Sequence, residues 1–298
     1  MVYTFIIVFS QEEYMENKNT NPLQKYFRQP KIYLSLPSNG QYYPKGSLEV
    51  SETGEYPVFP MTARDEIMIK TPDALLNGQA TVDVIQSCIP AIKDAFNMPS
   101  MDLDACLIAI RIATYGEKME VSIKVPVTGE DKDFDLDLRV MLDQFSNVNY
   151  EHEFNMGELT VHLKPLTYRQ FTETSTATFN EQRIYNALNN DQISESDRLQ
   201  TFTDSFKKLT DLTLDTLEHS IHSIRIGEDV VSDRGHIKEF IANSDKQLFS
   251  SVTDHIEKQR EKFTIKPLVI DATPEEIEAG VPATYTVPVT FDQSSFFV

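Results

Sequence analysis

The sequence predicts an α+β fold in which small antiparallel sheet elements are combined with long amphipathic helices. First, apolar and polar residues alternate in several short segments, and this period of two is typical of strands with one buried face. Second, apolar residues recur at steps of three and four over longer segments, as helices with one buried face require. Third, a strand, a cap and a helix follow one another at residues 58–66 and again at 161–170. The repeat leaves two arrangements open, a duplicated strand–cap–helix unit or one small sheet with helices on one side.

In the first half of the chain, strand patterns and helix patterns alternate. Residues 32–36 alternate and run into Asn39-Gly40, a dipeptide that favours a tight turn, and residues 55–59 predict a strand that completes a small sheet. Helices are then expected to begin at Thr62 and again at Thr71-Pro72. A third is expected from Val82 to a break at Pro90, and a fourth from Leu103 to an end at Gly116.

In the second half, two alternating segments at 119–125 and 159–163 predict strands. Long helices are expected after them. One carries an apolar stripe that consists of Leu199, Phe202, Phe206, Leu209, Leu217, Ile221 and Ile224. A further helix is expected from about residue 235 to 262, followed by a strand at 263–270, an acidic turn at 273–280 and a strand-like end from residue 284.

Helix caps explain why the same sequence pattern occurs twice in the chain. Thr62 with Asp65, and Thr167 with Gln170, match the capping box, in which each of two residues satisfies a free N–H group of the first helical turn. An arginine stands two residues after each threonine, Arg64 in the first copy and Arg169 in the second. Capping does not need these arginines, so we expect them to reach a carboxylate on a neighbouring element or on a partner.

Composition restricts the partners. The chain carries 46 acidic and 27 basic residues, a net charge of −19, in a sequence that is 40% hydrophobic. Such an acidic surface repels DNA and anionic lipid, so the sequence predicts a soluble protein that binds neither nucleic acid nor membranes. The apolar start MVYTFIIVF is too short to span a bilayer, and residues 1–14 are interpreted as an upstream extension that arises from the choice of start site.

The sequence shows no pattern that favours a catalytic site, a metal or a cofactor. Cys88 and Cys106 lie in helical patterns and are expected to be buried thiols. The acidic run at 130–135 lacks the glycine and the final glutamate of a calcium loop. His219 and His222, three residues apart on an expected helix, could support a metal-dependent hydrolase, but surface histidines explain them as well.

Aromatic residues instead indicate contacts with other proteins. Tyr42 and Tyr43 follow the Asn-Gly turn and are expected at an exposed tip, and the segment Tyr26-Phe27-Arg28 could dock on a partner. The last residues include Phe291, Phe296 and Phe297. These three phenylalanines fit either a strand that closes the core of its own chain or an anchor for a partner.

Five segments form a specific pattern in this order: KIYLSLPSNGQYYPKG, VFPMTARDE, TPDALLNGQATVDVIQSCIP, LDACLIAIRIATYG and VPVTFDQSSFF. The pattern resembles the baseplate hub proteins of T4-type contractile-tailed bacteriophages, over roughly residues 22–298 and most densely over 30–116. A shorter part of this sequence pattern, LPS-G followed by PMT-RDE, also resembles tail assembly proteins of other contractile phages.

The resemblance implies a non-enzymatic protein that is needed to build the central hub of the baseplate. Its partners would be other hub or tail proteins, including the tape measure protein. It would be present in the host cytoplasm during assembly, and then either be retained in the virion tail or leave as a transient assembly chaperone. Some relatives carry a CxxC zinc-ribbon element before the aromatic end, whereas residues 263–297 contain no cysteine, so a ribbon shape here would have to form without metal.

Together the patterns divide the chain into four regions. They are an N-terminal extension (1–29), an α+β hub-type domain (30–165), a helical region (166–262) and a strand-rich C-terminal tail (263–298).

Overall fold

The computed structural model describes residues 21–70, 78–146, 148–187 and 195–287. Within these ranges the helices are α1 (Ala63–Ile69), α2 (Gln79–Cys88), α3 (Leu103–Tyr115), α4 (Leu138–Asp143), α5 (Tyr168–Ala187), α6 (Glu195–Ser220), α7 (Arg234–Asn243), α8 (Lys246–Lys262) and α9 (Pro274–Glu278). The strands are β1 (Ile32–Ser35), β2 (Glu55–Val58), β3 (Lys118–Lys124), β4 (Asp131–Asp137), β5 (Glu153–Met156), β6 (Leu159–Leu163), β7 (Ile221–Ile226), β8 (Asp229–Val231), β9 (Leu268–Asp271) and β10 (Thr284–Val287).

The strands form small antiparallel sheets, so the expected α+β fold is confirmed. Three sheets have two strands, β1–β2, β3–β4 and β9–β10, and the fourth has the order β5-β6-β7-β8. Both copies of the strand–cap–helix pattern are present, as β2 before α1 and β6 before α5. They lie in different settings, because β2 belongs to a two-stranded sheet and β6 is an inner strand of the four-stranded sheet.

The main hydrophobic core surrounds α3. Every residue from Ala105 to Ala113 is buried, so this helix has no solvent-facing stripe and is packed on all sides. Buried side chains of β1, β2, α1 and α2, together with those of the connections between these elements, pack around it, and Ile265 joins from the far end of the chain. Cys88 and Cys106 lie in this core as free, fully buried thiols, as expected.

A second core forms where the four-stranded sheet meets helices α6, α7 and α8. Its buried side chains are Val161, Leu163, Leu217, Ile221, Ile224, Ile237, Ile241 and Val252. A third, smaller cluster of Val125, Ile270, Val281 and Tyr285 joins the β3–β4 pair to β9 and β10. No helix in the described part of the chain combines the length and the apolar character that a membrane span needs.

The structure corrects three predictions in the second half of the chain. Ile221 and Ile224 lie on strand β7 and not on a helix, so the region 166–262 is not wholly helical. β-branched isoleucines favour a strand, and Gly227, with φ of 58°, allows the tight turn into β8. The stretch from 235 to 262 is two helices, because the Asp245 side chain accepts the Leu248 N–H at 2.8 Å and starts α8. The acidic turn at 273–280 contains the short helix α9.

Candidate functional site

The expected Asn-Gly turn is present in the long connection between β1 and β2. The Gln41 N–H donates to the Ser38 carbonyl at 3.0 Å, and the two central residues, Asn39 and Gly40, have φ of 53° and 73°. Positive φ at both central positions is the geometry that Asn-Gly favours. The turn sends the following residues back onto the protein.

One buried carboxylate holds this connection on the start of α3. Asp102 accepts hydrogen bonds from the Ser38 N–H at 2.7 Å, from the Ser38 hydroxyl at 2.6 Å and from the Tyr43 hydroxyl at 2.9 Å. Burial raises the pKa of the Asp102 carboxyl to about 6, and the hydrogen bonds oppose that rise. The connection is thereby held in one position relative to α3.

The prediction that Tyr42 and Tyr43 project from an exposed tip is wrong. Tyr43 packs against the main core, where burial raises the pKa of its hydroxyl. Tyr42 is half-buried, and its ring meets that of Tyr150 edge-on, with the ring centroids 5.7 Å apart. The two tyrosines therefore form a wall, and a contact of either one with a partner stays a prediction.

A cleft of about 620 Å³ lies between this wall and the four-stranded sheet. The sheet side supplies basic and titratable side chains, which are His152, His162, Lys164 and His222. Among the described residues that line the cleft, none is Asp or Glu. Glu153 lies 3.5 Å from a ring nitrogen of His162 and 4.0 Å from one of His152, so the positive charge that the cleft offers to a ligand with a carboxylate comes mainly from Lys164.

The neighbours of Lys164 leave its ammonium available. Burial lowers the pKa of Lys164, Arg234 lowers it further, and Glu218 opposes both effects. Glu218 is already occupied, since the Arg234 side chain donates to its carboxylate and also to the Ile221 carbonyl at 2.8 Å. In the described part of the chain, Lys164 forms no ion pair at hydrogen-bonding distance, so a partner's carboxylate would not have to displace one.

The two capping boxes are confirmed. The Asp65 N–H donates to the Thr62 hydroxyl oxygen at 3.3 Å, and the Thr62 N–H donates to the Asp65 carboxylate at 2.7 Å. In the second copy, the Gln170 N–H donates to the Thr167 hydroxyl oxygen at 3.2 Å, and the Thr167 N–H donates to the Gln170 side-chain oxygen at 3.0 Å. Thr167 and Gln170 also line the cleft, so the second cap fixes part of its wall.

The two arginines at equivalent positions lie in different environments. Arg64 is exposed and forms no hydrogen bond or ion pair within the described ranges. The Arg169 guanidinium lies 4.2 Å from the centroid of the Phe96 ring, which in turn stacks on Tyr168. Among the described residues, Arg169 thus contacts an aromatic face and no carboxylate, and a contact of Arg64 with a partner stays a prediction.

Sequence reasoning missed the role of Arg28, which it placed in a docking segment. The Arg28 guanidinium donates to the Pro60 carbonyl at 2.6 Å and to the Ser87 carbonyl at 2.7 Å, and it lies 3.3 Å from the carboxylate of Asp65. These three partners are between 32 and 59 residues away in sequence, so no local pattern marks the contacts. Tyr26, by contrast, is 74% exposed.

The other predicted residues are not brought into this cleft as a group. Phe291, Phe296 and Phe297 lie outside the described residues, as do residues 1–14. His219 lies in the last turn of α6 and His222 lies on β7, so the two do not share a helix face. Across the ranges that the structure describes, no group of three or more His, Cys, Asp and Glu side chains is placed to hold a metal ion.

Comparison with known proteins gives one match. No curated protein matches the chain, and no solved structure matches it. The family model described as T4 bacteriophage base plate protein matches residues 29–269, which include all of the two larger cores and the whole cleft.

Proposed function

Because the chain belongs to the family of T4 bacteriophage base plate proteins, we propose that it is a non-enzymatic component of the baseplate hub that acts through protein–protein contacts in tail assembly. The family gives the chain a structural role in the phage tail baseplate. The assignment to the hub rests in addition on the resemblance of its five sequence segments to hub proteins.

The cleft beside Lys164 is the observation that best supports action through contacts. Its two walls are held by the Asp102 hydrogen bonds and by the Thr167 cap, so little ordering is needed when a partner binds. Its lining supplies positive charge and N–H donors, while the rest of the chain is strongly acidic. We infer that the cleft receives an acidic segment of another hub or tail protein, for which the tape measure protein is one candidate.

The same charge distribution disfavours nucleic acid and anionic membranes as partners. A net charge of −19 repels a phosphate backbone over most of the surface, and a single cleft cannot offset this repulsion along an extended polyanion. We propose that the protein is present in the host cytoplasm during assembly and, if it is retained, in the tail baseplate of the virion.

Deletion of the gene tests the hub assignment. Infection without the protein should leave tails without complete baseplates, and mass spectrometry of purified wild-type virions should find the protein in a fixed ratio to other hub proteins. Normal tails after deletion would exclude a role in assembly. Incomplete baseplates after deletion, combined with absence of the protein from virions, would show that the protein acts as a transient chaperone and is not a hub component.

Charge reversal in the cleft tests the contact surface. We expect Lys164→Glu to fail to restore infectivity to the deletion phage, because it places a carboxylate where the partner's carboxylate would bind. Lys266→Glu makes the same change at an exposed site away from the cleft and should complement normally. Full complementation by a folded Lys164→Glu protein would contradict the role of the cleft.

A further inference from the structure

A second cleft, of about 420 Å³, lies between the start of α3 and the end of α8. All of its lining residues belong to the described part of the chain. Much of the wall is apolar and consists of Leu103, Tyr150, Leu166, Phe171, Ile256 and Phe263. Leu103 belongs to the main core and Ile256 packs against the second core, so the cleft lies between the two cores. Clefts of this size between two packed units are a common setting for a binding site.

Most polar side chains in the lining are already engaged within the chain. Three hydroxyls donate to carbonyls four residues earlier, those of Thr216, Ser220 and Thr264. The Gln259 side chain is hydrogen-bonded to Glu151, and the Arg260 side chain lies 3.2 Å from the carboxylate of Glu257. A ligand in the cleft would therefore find few free polar groups.

Asp104, in the first turn of α3, is different. Among the described residues, none donates a hydrogen bond to its carboxylate or forms an ion pair with it. Burial raises the pKa of this carboxyl to about 6, and no cation of the described chain opposes the rise. Lys164 also lines the cleft, but the charged groups that act on its pKa are Arg234 and Glu218 and do not include Asp104.

The free protein thus keeps a carboxylate that a bound cation would stabilise. A partly buried carboxylate without a partner is unfavourable, because it has lost hydration and has gained no hydrogen bond in exchange. The N-terminus of α3 favours negative charge, but it does not offset this loss, since the pKa of Asp104 is raised and not lowered. A positively charged group in the cleft would supply the missing partner.

The lining and the charge of the chain define what such a ligand must carry. It needs apolar surface for the wall and one cation for Asp104, and a net charge of −19 favours the approach of a basic molecule. An arginine beside an apolar residue combines these features, because its aliphatic stem can lie on an apolar wall. Its guanidinium is weakly hydrated and matches a carboxylate with two parallel N–H donors, so arginine suits this position better than lysine.

We propose that this cleft, which we call the Asp104 cleft, binds a segment of another protein in which an arginine stands beside an apolar side chain. The guanidinium pairs with the Asp104 carboxylate, and the apolar side chain packs on the wall formed by residues such as Leu166 and Phe171. The proposal depends neither on the hub assignment nor on the acidic segment proposed for the cleft beside Lys164.

A random peptide library, selected for binding to the full chain, tests the proposal. We expect it to yield peptides in which an arginine stands next to a leucine or an aromatic residue. Fluorescence anisotropy of such a peptide should show at least ~10-fold weaker binding to Asp104→Asn, which removes the charge and keeps the size of the side chain. Asp133→Asn removes the same charge at an exposed site on β4 and should change the affinity by no more than ~2-fold.

The Asp104→Asn variant should fold, because it replaces a carboxylate that has no partner among the described residues by a neutral group. The peptide supplies a second arm if the variant does not fold by circular dichroism. Citrulline has the shape of arginine without its charge, and a peptide that carries it should bind the wild-type chain at least ~10-fold more weakly. Both changes together should weaken binding little more than either one alone.

Three results would overturn the proposal. One is a selection that enriches no peptide with an arginine beside an apolar residue. Another is an equal loss of affinity in Asp104→Asn and Asp133→Asn, which would show only the general attraction between a basic peptide and an acidic surface. The third is a citrulline peptide that binds the wild-type chain as tightly as the arginine peptide does.

Discussion

At the scale of single residues, the carboxylate of Asp102 forms contacts that no local sequence pattern predicts. It has no exposed surface, yet it joins Ser38 and Tyr43 to the start of α3, across a separation of 64 residues in the case of Ser38. A buried carboxylate is unfavourable unless hydrogen bonds compensate for lost hydration, and here three of them do so. The hydrogen bonds do not fully compensate for the lost hydration, and the pKa of the Asp102 carboxyl is therefore raised.

This raised pKa predicts a specific pH dependence of stability. The folded-state pKa of Asp102 is about 6, above the ordinary value of 3.8, so between these pH values the folded chain keeps a proton that the unfolded chain has lost. The contribution of this carboxyl to stability is therefore greatest below about pH 4 and declines as the pH rises to about 6. We expect Asp102→Asn to remove this decline, which is on the order of 3 kcal/mol in the free energy of unfolding.

Urea unfolding at a series of pH values measures the effect as a difference between variant and wild type. The Asp104 carboxyl, whose pKa burial also raises to about 6, is present in both proteins and cancels in that difference. Asp133→Asn, at an exposed site on β4, should leave the pH dependence unchanged. Parallel pH curves for wild type and Asp102→Asn would show that the buried carboxyl does not titrate in this range.

At the scale of elements, Gly78 lets α2 begin directly against the first residue of α5. Its φ is 74°, and a Cβ added there would lie 2.9 Å from the Tyr168 hydroxyl oxygen. Tyr168 is itself 4% exposed and donates its N–H to the Met98 carbonyl at 2.8 Å. The first residues of the two helices can therefore lie this close only because residue 78 is a glycine and has no side chain.

Gly78→Ala should destabilise the protein for two separable reasons. The positive φ costs about 1 kcal/mol for any L side chain, and the contact with Tyr168 adds on the order of 1–3 kcal/mol. Gly54→Ala is the matched control, because Gly54 has φ of 75° and open space around its Cα, so it should show only the first cost. Thermal or urea unfolding measures both variants.

The second cost can be assigned by a double-mutant cycle. Tyr168→Phe removes the oxygen that the new methyl group would meet, so it should recover part of the loss in Gly78→Ala and none of the loss in Gly54→Ala. Equal destabilisation by the two alanine substitutions would mean that Tyr168 moves aside without penalty.

Sequence reasoning predicted those elements whose signals are local. The caps at Thr62 and Thr167 and the end of α3 at Gly116 depend on residues within a few positions, and the structure has each of them. Strand β7 was missed because Ile221 and Ile224 continue the helical period of α6. This segment forms a strand because it pairs with β6 and β8, and a periodic pattern does not show that pairing. The walls of the cleft were missed for the same reason, since Tyr43 turns inward to a carboxylate far away in sequence.

At the scale of the whole molecule, stability is unevenly distributed. α3 lies inside the main core with all of Ala105–Ala113 buried, whereas the first half of α6 contributes to none of the buried clusters. Local opening is easiest where few apolar contacts are lost. Among the described residues, the first half of α6 is thus held by fewer apolar contacts with the buried clusters than α3 is.

Hydrogen exchange should show this distribution directly. We expect the amides of 108–112 to exchange only through global unfolding, and those of 201–210 to exchange at least ~100-fold faster. Peptides from α7, which packs on the second core through Ile237 and Ile241, serve as an internal reference and should lie between the two. Equal protection of α3 and the first half of α6 would contradict the uneven distribution.

The position of Ile265 in the main core has a consequence for biosynthesis. Most of that core comes from residues 32–145, but Ile265 supplies one of its buried side chains, and Leu268 packs beside it. A chain still on the ribosome, or one released early, therefore leaves an apolar gap in a domain whose other parts are already made. Only a chain translated past this point closes its core, so we expect products truncated before residue 265 to be less stable than the full chain.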